Sequence, residues 1–573
     1  MTAPTDCQRA WVSPLLLALL LTGLASLKPM HIDETANYYY AVHIADHPLD
    51  PFGFEVFWYQ WPEPANHVLT PPVMVSWWAV GVRLLRPLGE QPILWKLWLL
   101  PFALLFVFAL HALLRRFARG LEAPLLWLTV LSPAILPGLN LMPDVPALAF
   151  SLGAVAVFLR AVDGQGGRSY GWAWLAGLLA GVAMQTKYTG FLAPAVLGLA
   201  ALLYGRPWLW PVAAAQAAVV FVSWEYVTFR LYGDSHFLFQ LGYSSQSLPD
   251  KLGLVGPLLS LVGGVAPAVG LLGLAALGVR RWVVLAAGGV VVLGYLTVAC
   301  VGILFTGQAT VQSLFGEDAL FPCDFSLSDI FYGVWGAELF GILAAVAWRL
   351  CRSDAAVMES WRQKRGDWFL VLWLALEVVG YFFLTPFPAV RRVMGAVIVA
   401  GILVGRLAAR TCRTPERSRL VWGATVFSAL LGLGFLGVDI WDAGTQKRAV
   451  EEAAAFVRQQ GGGRTWYVGH WGFQYYAERE GMKPVVPDES ELRAGDWLVM
   501  PDRRINQQVI QAGPPRTEPV WRWKAEDGLP LKTVVGYYGG WTPLEHQQGP
   551  RLEVEVRRVR VGFVPRTPRS SAP

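Results

Sequence analysis

Six ionisable residues lie where apolar runs of the chain give way to polar ones, and their types suit acid–base chemistry beside an anion. Asp33 and Glu34 are adjacent acids in HIDETANYYYAVHIA, directly after the first apolar stretch. Asp144, in LNLMPDVPALAF, is a second carboxylate at such an edge, and Lys187, in MQTKYTGFL, is a lone cation at another. Arg391 and Arg392 follow in TPFPAVRRVM. A carboxylate in such a place can take a proton from a hydroxyl, and fixed cations can stabilise negative charge as it develops. Each residue also has an ordinary reading. An acid just past a helix end is often only solvated, and a Lys or Arg near a bilayer often snorkels to the surface. What points to a site is the group: charges at membrane depth are costly and usually face a cavity or a partner.

These residues are positioned by apolar helices. Of 573 residues, 54% are hydrophobic and 15% charged, and there are 27 Trp and 39 Pro. A soluble protein of this size carries nearer a quarter charged residues, whereas interfacial aromatic belts and proline-interrupted helices suit a bilayer. The expected class is therefore a polytopic α-helical membrane protein. A crossing helix needs roughly 20 apolar residues. The sequence predicts about thirteen, near residues 11–27, 93–114, 123–139, 145–159, 171–185, 191–204, 209–229, 254–279, 282–305, 330–348, 368–384, 393–407 and 420–440. A cleaved signal peptide is the alternative for the first of these. A long polar loop, about residues 29–91, follows it, with amphipathic pieces near 36–45 and 72–85 suited to the interface. Arg115, Arg116, Arg119, Arg160, Arg168, Arg206, Arg280 and Arg281 fall in alternate loops, whereas the loop between Thr306 and Ser328 has no Lys or Arg. Positive loops stay inside, so the N-terminus is expected in the cytoplasm and the six ionisable residues outside.

From residue 441 charged residues become frequent, and RTWYVG, HWGFQYYAER and DWLVM read as strand, helix and strand. The expected division is a transmembrane domain over 1–440 and an extracytoplasmic α/β domain over 441–573 with a disordered tail after about Phe563. Cys7, Cys300, Cys323, Cys351 and Cys412 show neither metal-ligand spacing nor a paired framework. The net charge of +6 is too scattered to argue for nucleic acid. The glycines of DGQGGRS and GGGR do not lie between a strand and a helix, as a nucleotide phosphate cradle requires.

One span, an Asp-Glu pair opening a long outer loop, the Pro-Pro of NHVLTPPV, the piece GLLAGVAMQTKYTGFLAPAVLGL and a late outer Arg come in an order that resembles the GT-C membrane glycosyltransferases. Within them it is most similar to the protein O-mannosyltransferase and aminoarabinose transferase relatives, over residues 11–440. The resemblance implies transfer of a sugar from a polyprenyl-phosphate donor to an acceptor protein, lipid or glycan on the outer face. It implies Asp33 as general base, Glu34 as acceptor-orienting or metal-binding, and Asp144 as the second loop acid. Arg391 and Lys187 would hold the donor phosphate, with Arg392 beside them and expected to matter less. A divalent metal is left open, with Glu63, His67 and His236 as candidate ligands. Two departures argue against aminoarabinose as the sugar: Thr70 stands where relatives have His or Lys before the Pro-Pro, and His236 lacks a nearby Arg. The short N-terminus without an organelle signal places the expectation in a prokaryotic inner membrane. The competing class is a transporter or flippase, but such proteins commonly show repeats meeting at the midplane, and no internal repeat is visible here. A membrane sensor would not need Asp33, Asp144 and Arg391 together.

Overall fold

The computed structural model describes residues 5–566 apart from 90, 244–246, 302–306, 309–323, 326, 353–358, 503–507, 509, 527, 534–537 and 548. Most of the 306–328 loop and the last seven residues of the tail lie outside the described residues.

The chain is a polytopic bundle of apolar helices with a small sheet at its C-terminal end. Among the described residues eight helices are long and apolar enough to cross a membrane: Pro92–Phe117, Asp144–Asp163, Leu209–Tyr232, Arg281–Ala299, Ser328–Cys351, Lys364–Leu384, Val390–Thr411 and Pro415–Gln459. A ninth is the pair Pro249–Val265 and Pro267–Ala276, bent by 76°. The bend falls where Pro267 lacks an N–H and disfavours helical geometry in Ala266 before it. Val12–Ser26 and Tyr188–Leu203 are shorter apolar helices, and Gly167–Thr186 forms another helix of 20 residues. The stretch expected as a span near 123–139 instead makes a short helix, Glu122–Val130, and a 3₁₀ turn, Leu136–Gly138. Pro133, Pro137 and Pro143 punctuate it, and residues 130–147 are all buried within the bundle.

Burial separates the helices that build the interior from those that face lipid. In Val390–Thr411, 78% of the most apolar window is buried, against 17% in Leu209–Tyr232 and Arg281–Ala299. The first is the central helix, and the other two present Leu, Val and Phe outward, as a bilayer demands.

The long polar loop is structured. The two amphipathic pieces become the helices Glu34–Asp46 and Val73–Leu85, joined through a short antiparallel hairpin, Glu55–Phe57 with Pro62–Pro64. The C-terminal sheet has five strands, β1 Thr465–Tyr467, β2 Lys483–Pro484, β3 Trp497–Pro501, β4 Thr517–Lys524 and β5 Glu553–Val559. Their order is β2-β1-β3-β5-β4. β1 runs parallel to β2 and β3, and β5 antiparallel to β3 and β4. The expected helix lies between β1 and β2 as Trp471–Arg479.

The compositional change at residue 441 is not a break in the backbone. Pro415–Gln459 is one helix of 45 residues that carries the chain from the bundle toward the C-terminal sheet. Its second half is rich in Ala, Glu, Gln, Lys and Arg, which are strong helix formers, and it buries Ala443, Ala449, Val450, Ala453 and Val457 on one face. It ends where Gly461 and Gly462 take φ of +91° and +70°, a region only glycine enters without strain.

Candidate functional site

Five of the six ionisable residues meet at one end of the bundle, each placed by a helix terminus. Asp33 immediately precedes Glu34–Asp46. Ile32, just before it, has φ of +46°, a conformation a β-branched residue adopts only under strain of order 1–3 kcal/mol. Asp144 opens Asp144–Asp163, where the helix dipole favours a carboxylate. Lys187 sits in extended backbone between Gly167–Thr186 and the 3₁₀ turn Tyr188–Phe191. That turn folds back so tightly that a Cβ on Gly190 would lie 2.4 Å from the Ala183 carbonyl carbon. Arg391 and Arg392 occupy the first turn of Val390–Thr411.

Arg391 is the hub. Its Nη1 donates to Asp33 Oδ2 at 2.6 Å and lies 3.9 Å from Asp144 Oδ2, and its Nε donates to the Tyr538 carbonyl oxygen at 3.1 Å. Lys187 Nζ pairs with Asp144 Oδ1. Arg392 takes no carboxylate partner among the described residues, its buried Nε has no hydrogen-bond partner, and its guanidinium lies 5.1 Å from the Phe387 ring centroid. Within the cluster itself three cations thus face two carboxylates, an excess of one positive charge that invites an anion, and the one further carboxyl lining the cavity below, Glu377, bonds Trp373 instead. Exposure divides the two acids: the Asp33 side chain is 31% exposed and that of Asp144 only 4%. Asp33 is therefore the carboxylate that a molecule arriving from outside can reach. Its Oδ2 is held by Arg391, and its Oδ1 takes no hydrogen bond among the described residues.

Below the cluster a cavity runs between four helices. Asp144, Arg391 and Arg392 stand at its charged end, and Leu152, Val155, Leu192, Val196 and Met394 form apolar walls. From Asp144 to Val155 along one helix is about 16 Å at 1.5 Å per residue, so the apolar lining continues well into the bundle.

Glu34, by contrast, is turned away from the cluster. Its side chain is fully buried in an ion pair with Lys96 at 2.7 Å. It also accepts the backbone N–H groups of His31 and Leu141, both at 3.0 Å. In this position Glu34 holds the loop that presents Asp33. Replacing it by Gln leaves the Lys96 ammonium buried without its counter-charge, which costs about 3–5 kcal/mol. Glu34→Gln is expected to lower the melting temperature in detergent before it affects turnover of the protein that remains folded. A thermal-shift series beside specific activity measures both, and lost activity at an unchanged melting temperature contradicts this role.

The candidate metal ligands do not converge. His236 Nε2 bonds the Leu69 carbonyl oxygen at 2.8 Å and Nδ1 meets the Tyr188 hydroxyl. His67 stacks on Phe239 at 3.9 Å between centroids, and Glu63 lies in the hairpin strand Pro62–Pro64. Among the described residues no three His, Cys, Asp or Glu side chains are arranged to hold a metal ion.

Five residues escaped the sequence reading. Lys96 lies inside an expected span, and Lys28 and Asp439 lie at the ends of two. Lys28 and Asp439 form a second buried ion pair at 2.9 Å, and ionisable residues within or at the ends of spans were the signal available. Glu377 lines the cavity and accepts Trp373 Nε1 at 2.9 Å. His31 is 1% exposed with both ring nitrogens unpartnered. Burial pulls its imidazole down to about 3 against the pull of Asp439, with Lys28 and Lys96 adding to the fall, so it is neutral at physiological pH.

No family model matches the chain, and no curated protein does. Solved structures do. The archaeal oligosaccharyltransferase AglB from Archaeoglobus fulgidus, in complex with an inhibitory peptide and a dolichol-phosphate, is similar with a TM-score of 0.45 and 11% identity. That match covers 84% of this chain and 65% of the archaeal one, so this chain spans about two thirds of its length. ArnT from Cupriavidus metallidurans in the apo state is similar with a TM-score of 0.37 and 15% identity, over 86% of this chain and 93% of that one. The same protein bound to undecaprenyl phosphate matches with a TM-score of 0.34 and 15% identity, over 87% and 94%.

Proposed function

We propose that this chain is a GT-C-type glycosyltransferase that moves a sugar from a polyprenyl-phosphate donor to an acceptor on the extracytoplasmic face. The observation that carries the reading is the excess cation at the charged end of an apolar cavity, next to one accessible carboxylate. A polyprenyl tail suits the apolar walls, its phosphate suits Arg392, Arg391 and Lys187, and the sugar then lies beside Asp33. The acceptor oxygen attacks the anomeric carbon while the bond from that carbon to the phosphate oxygen breaks. Asp33 Oδ1 takes the acceptor's proton, and the polyprenyl phosphate departs with one more negative charge, which the three cations stabilise. Asp144 keeps Lys187 and Arg391 in place. No step is assigned to a metal, because the candidate ligands stand apart.

The direct test incubates purified protein in nanodiscs with a panel of polyprenyl-phosphate sugars and follows donor consumption. Release of polyprenyl phosphate from at least one donor, with label appearing on a protein, lipid or glycan acceptor, is the expected result. Movement of intact donor across a vesicle membrane without cleavage favours a flippase instead.

The orientation is tested separately. Arg168 and Glu518 are both exposed and lie on opposite sides of the proposed membrane. A cysteine at 518, in a background without native cysteines, is expected to react with an impermeant thiol reagent in intact spheroplasts. A cysteine at 168 reacts only after permeabilisation. The reverse pattern places the cluster in the cytoplasm and ends the reading of an export-side enzyme.

A further inference from the structure

The outer domain reaches back into the charged cluster through residues 538–546, between β4 and β5. The segment is bonded to the bundle at several points. The Thr542 hydroxyl bonds Asp329, the Tyr332 hydroxyl donates to the Leu544 carbonyl oxygen at 3.1 Å, and His546 Nδ1 meets the Ala299 carbonyl oxygen at 3.1 Å. Tyr538 is the residue that enters the cluster. Its carbonyl oxygen accepts Arg391 Nε at 3.1 Å. Its hydroxyl accepts Lys28 Nζ at 2.7 Å and donates to Asp439 Oδ2 at 3.1 Å. Lys28 also donates to the Pro137 carbonyl oxygen at 3.2 Å, and the Lys28 and Asp439 side chains are 1% and 0% exposed. The Tyr538 ring packs edge-on against His31, two residues before Asp33, with centroids 5.6 Å apart.

A guanidinium presents its N–H groups in one rigid plane. Asp33 fixes that plane at Nη1 and Tyr538 fixes it at Nε, while Nη2 takes no hydrogen bond among the described residues. Two anchored positions determine the orientation of the third. We infer that Tyr538 is a positioning residue for donor binding: held by the buried Lys28–Asp439 pair, it sets the plane of Arg391 and makes the outer domain part of the donor site. The inference rests on the donor-phosphate reading above. It assigns the outer domain a task in the reaction whatever the acceptor is.

The experiment uses the full chain in nanodiscs and two readouts, binding of undecaprenyl phosphate without sugar and transfer kinetics with the active donor. Tyr538→Phe keeps the ring against His31 and removes the hydroxyl that anchors it. The expected result is about a tenfold weaker affinity for undecaprenyl phosphate and about a tenfold higher donor KM, the scale of one hydrogen bond to a charged group. The kcat stays within about twofold, because Asp33 is untouched. Thr542→Val, which cuts a different bond of the same segment, leaves KM unchanged. In an Arg391→Lys background Tyr538→Phe adds no further loss, since an ammonium has no plane to orient. Unchanged affinity and KM in Tyr538→Phe overturn the inference. So does an equal loss in Thr542→Val, or an undiminished extra loss in the Arg391→Lys background, because either marks a general docking role. The background comparison also decides the matter if Tyr538→Phe lowers the melting temperature. A wild-type protein that neither binds undecaprenyl phosphate nor cleaves any polyprenyl-phosphate sugar removes the donor reading itself, and this inference with it.

Discussion

Asp33→Asn is expected to reduce turnover by about 10² or more while donor binding stays near the wild-type value. Asn keeps the size and most of the hydrogen bonding of Asp but cannot accept a proton. Asp33 is singled out because its side chain is the accessible carboxylate of the cluster, with Oδ2 held by Arg391 at 2.6 Å. That bond engages Oδ2 and leaves Oδ1 without a hydrogen bond among the described residues. Asp144→Asn is also expected to lower activity, by a different route. Buried between Lys187 and Arg391, it governs where the cations sit, so its loss acts mainly through donor KM. The measurement is transfer of labelled sugar, with the melting temperature followed in parallel. A folded Asp33→Asn variant with wild-type turnover would falsify the general-base role.

The second large effect is expected at Arg392. The family resemblance ranks it behind Arg391, yet the geometry favours the opposite order for phosphate binding. Two of the three nitrogens of Arg391, Nη1 and Nε, are already engaged by Asp33 and Tyr538, and Lys187 is paired with Asp144. Arg392 lines the same cavity with a buried Nε that nothing in the described chain satisfies. Arg392→Ala is expected to weaken donor binding by about 10- to 150-fold, corresponding to about 1.5–3 kcal/mol for a charge-assisted hydrogen bond, with the melting temperature little changed. Arg391→Ala is expected to lower both, because it leaves Asp33 and Asp144 facing each other without their shared cation. Titration of undecaprenyl phosphate against the two variants separates these outcomes. Equal affinity in Arg392→Ala and wild type removes Arg392 from the phosphate site.

Periodicity and composition alone specified the membrane class, the helices that begin near Asp33, Asp144 and Arg391, and the α/β character of the C-terminal region. They did so because apolar length and turn residues act locally. Asp33, Asp144, Lys187, Arg391 and Arg392 were legible for a related reason: a charge at the edge of an apolar run must be explained wherever the chain goes. The residues' division of labour was not legible. Asp33 and Glu34 are neighbours in sequence, but a helix start directs one toward the Arg391 hub and the other into a buried pair with Lys96, 62 residues away. Arg391 and Arg392 are equally adjacent, and only the surrounding carboxylates decide which remains unpaired. Tyr538 lies 147 residues beyond Arg391 in a polar stretch with no periodicity. What its carbonyl and hydroxyl meet depends on how the chain after the helix Pro415–Gln459 packs back against the bundle. Local patterns determine which elements form, because they depend on neighbours along the chain. Charge pairing is a property of distances between elements, and only the tertiary structure sets those.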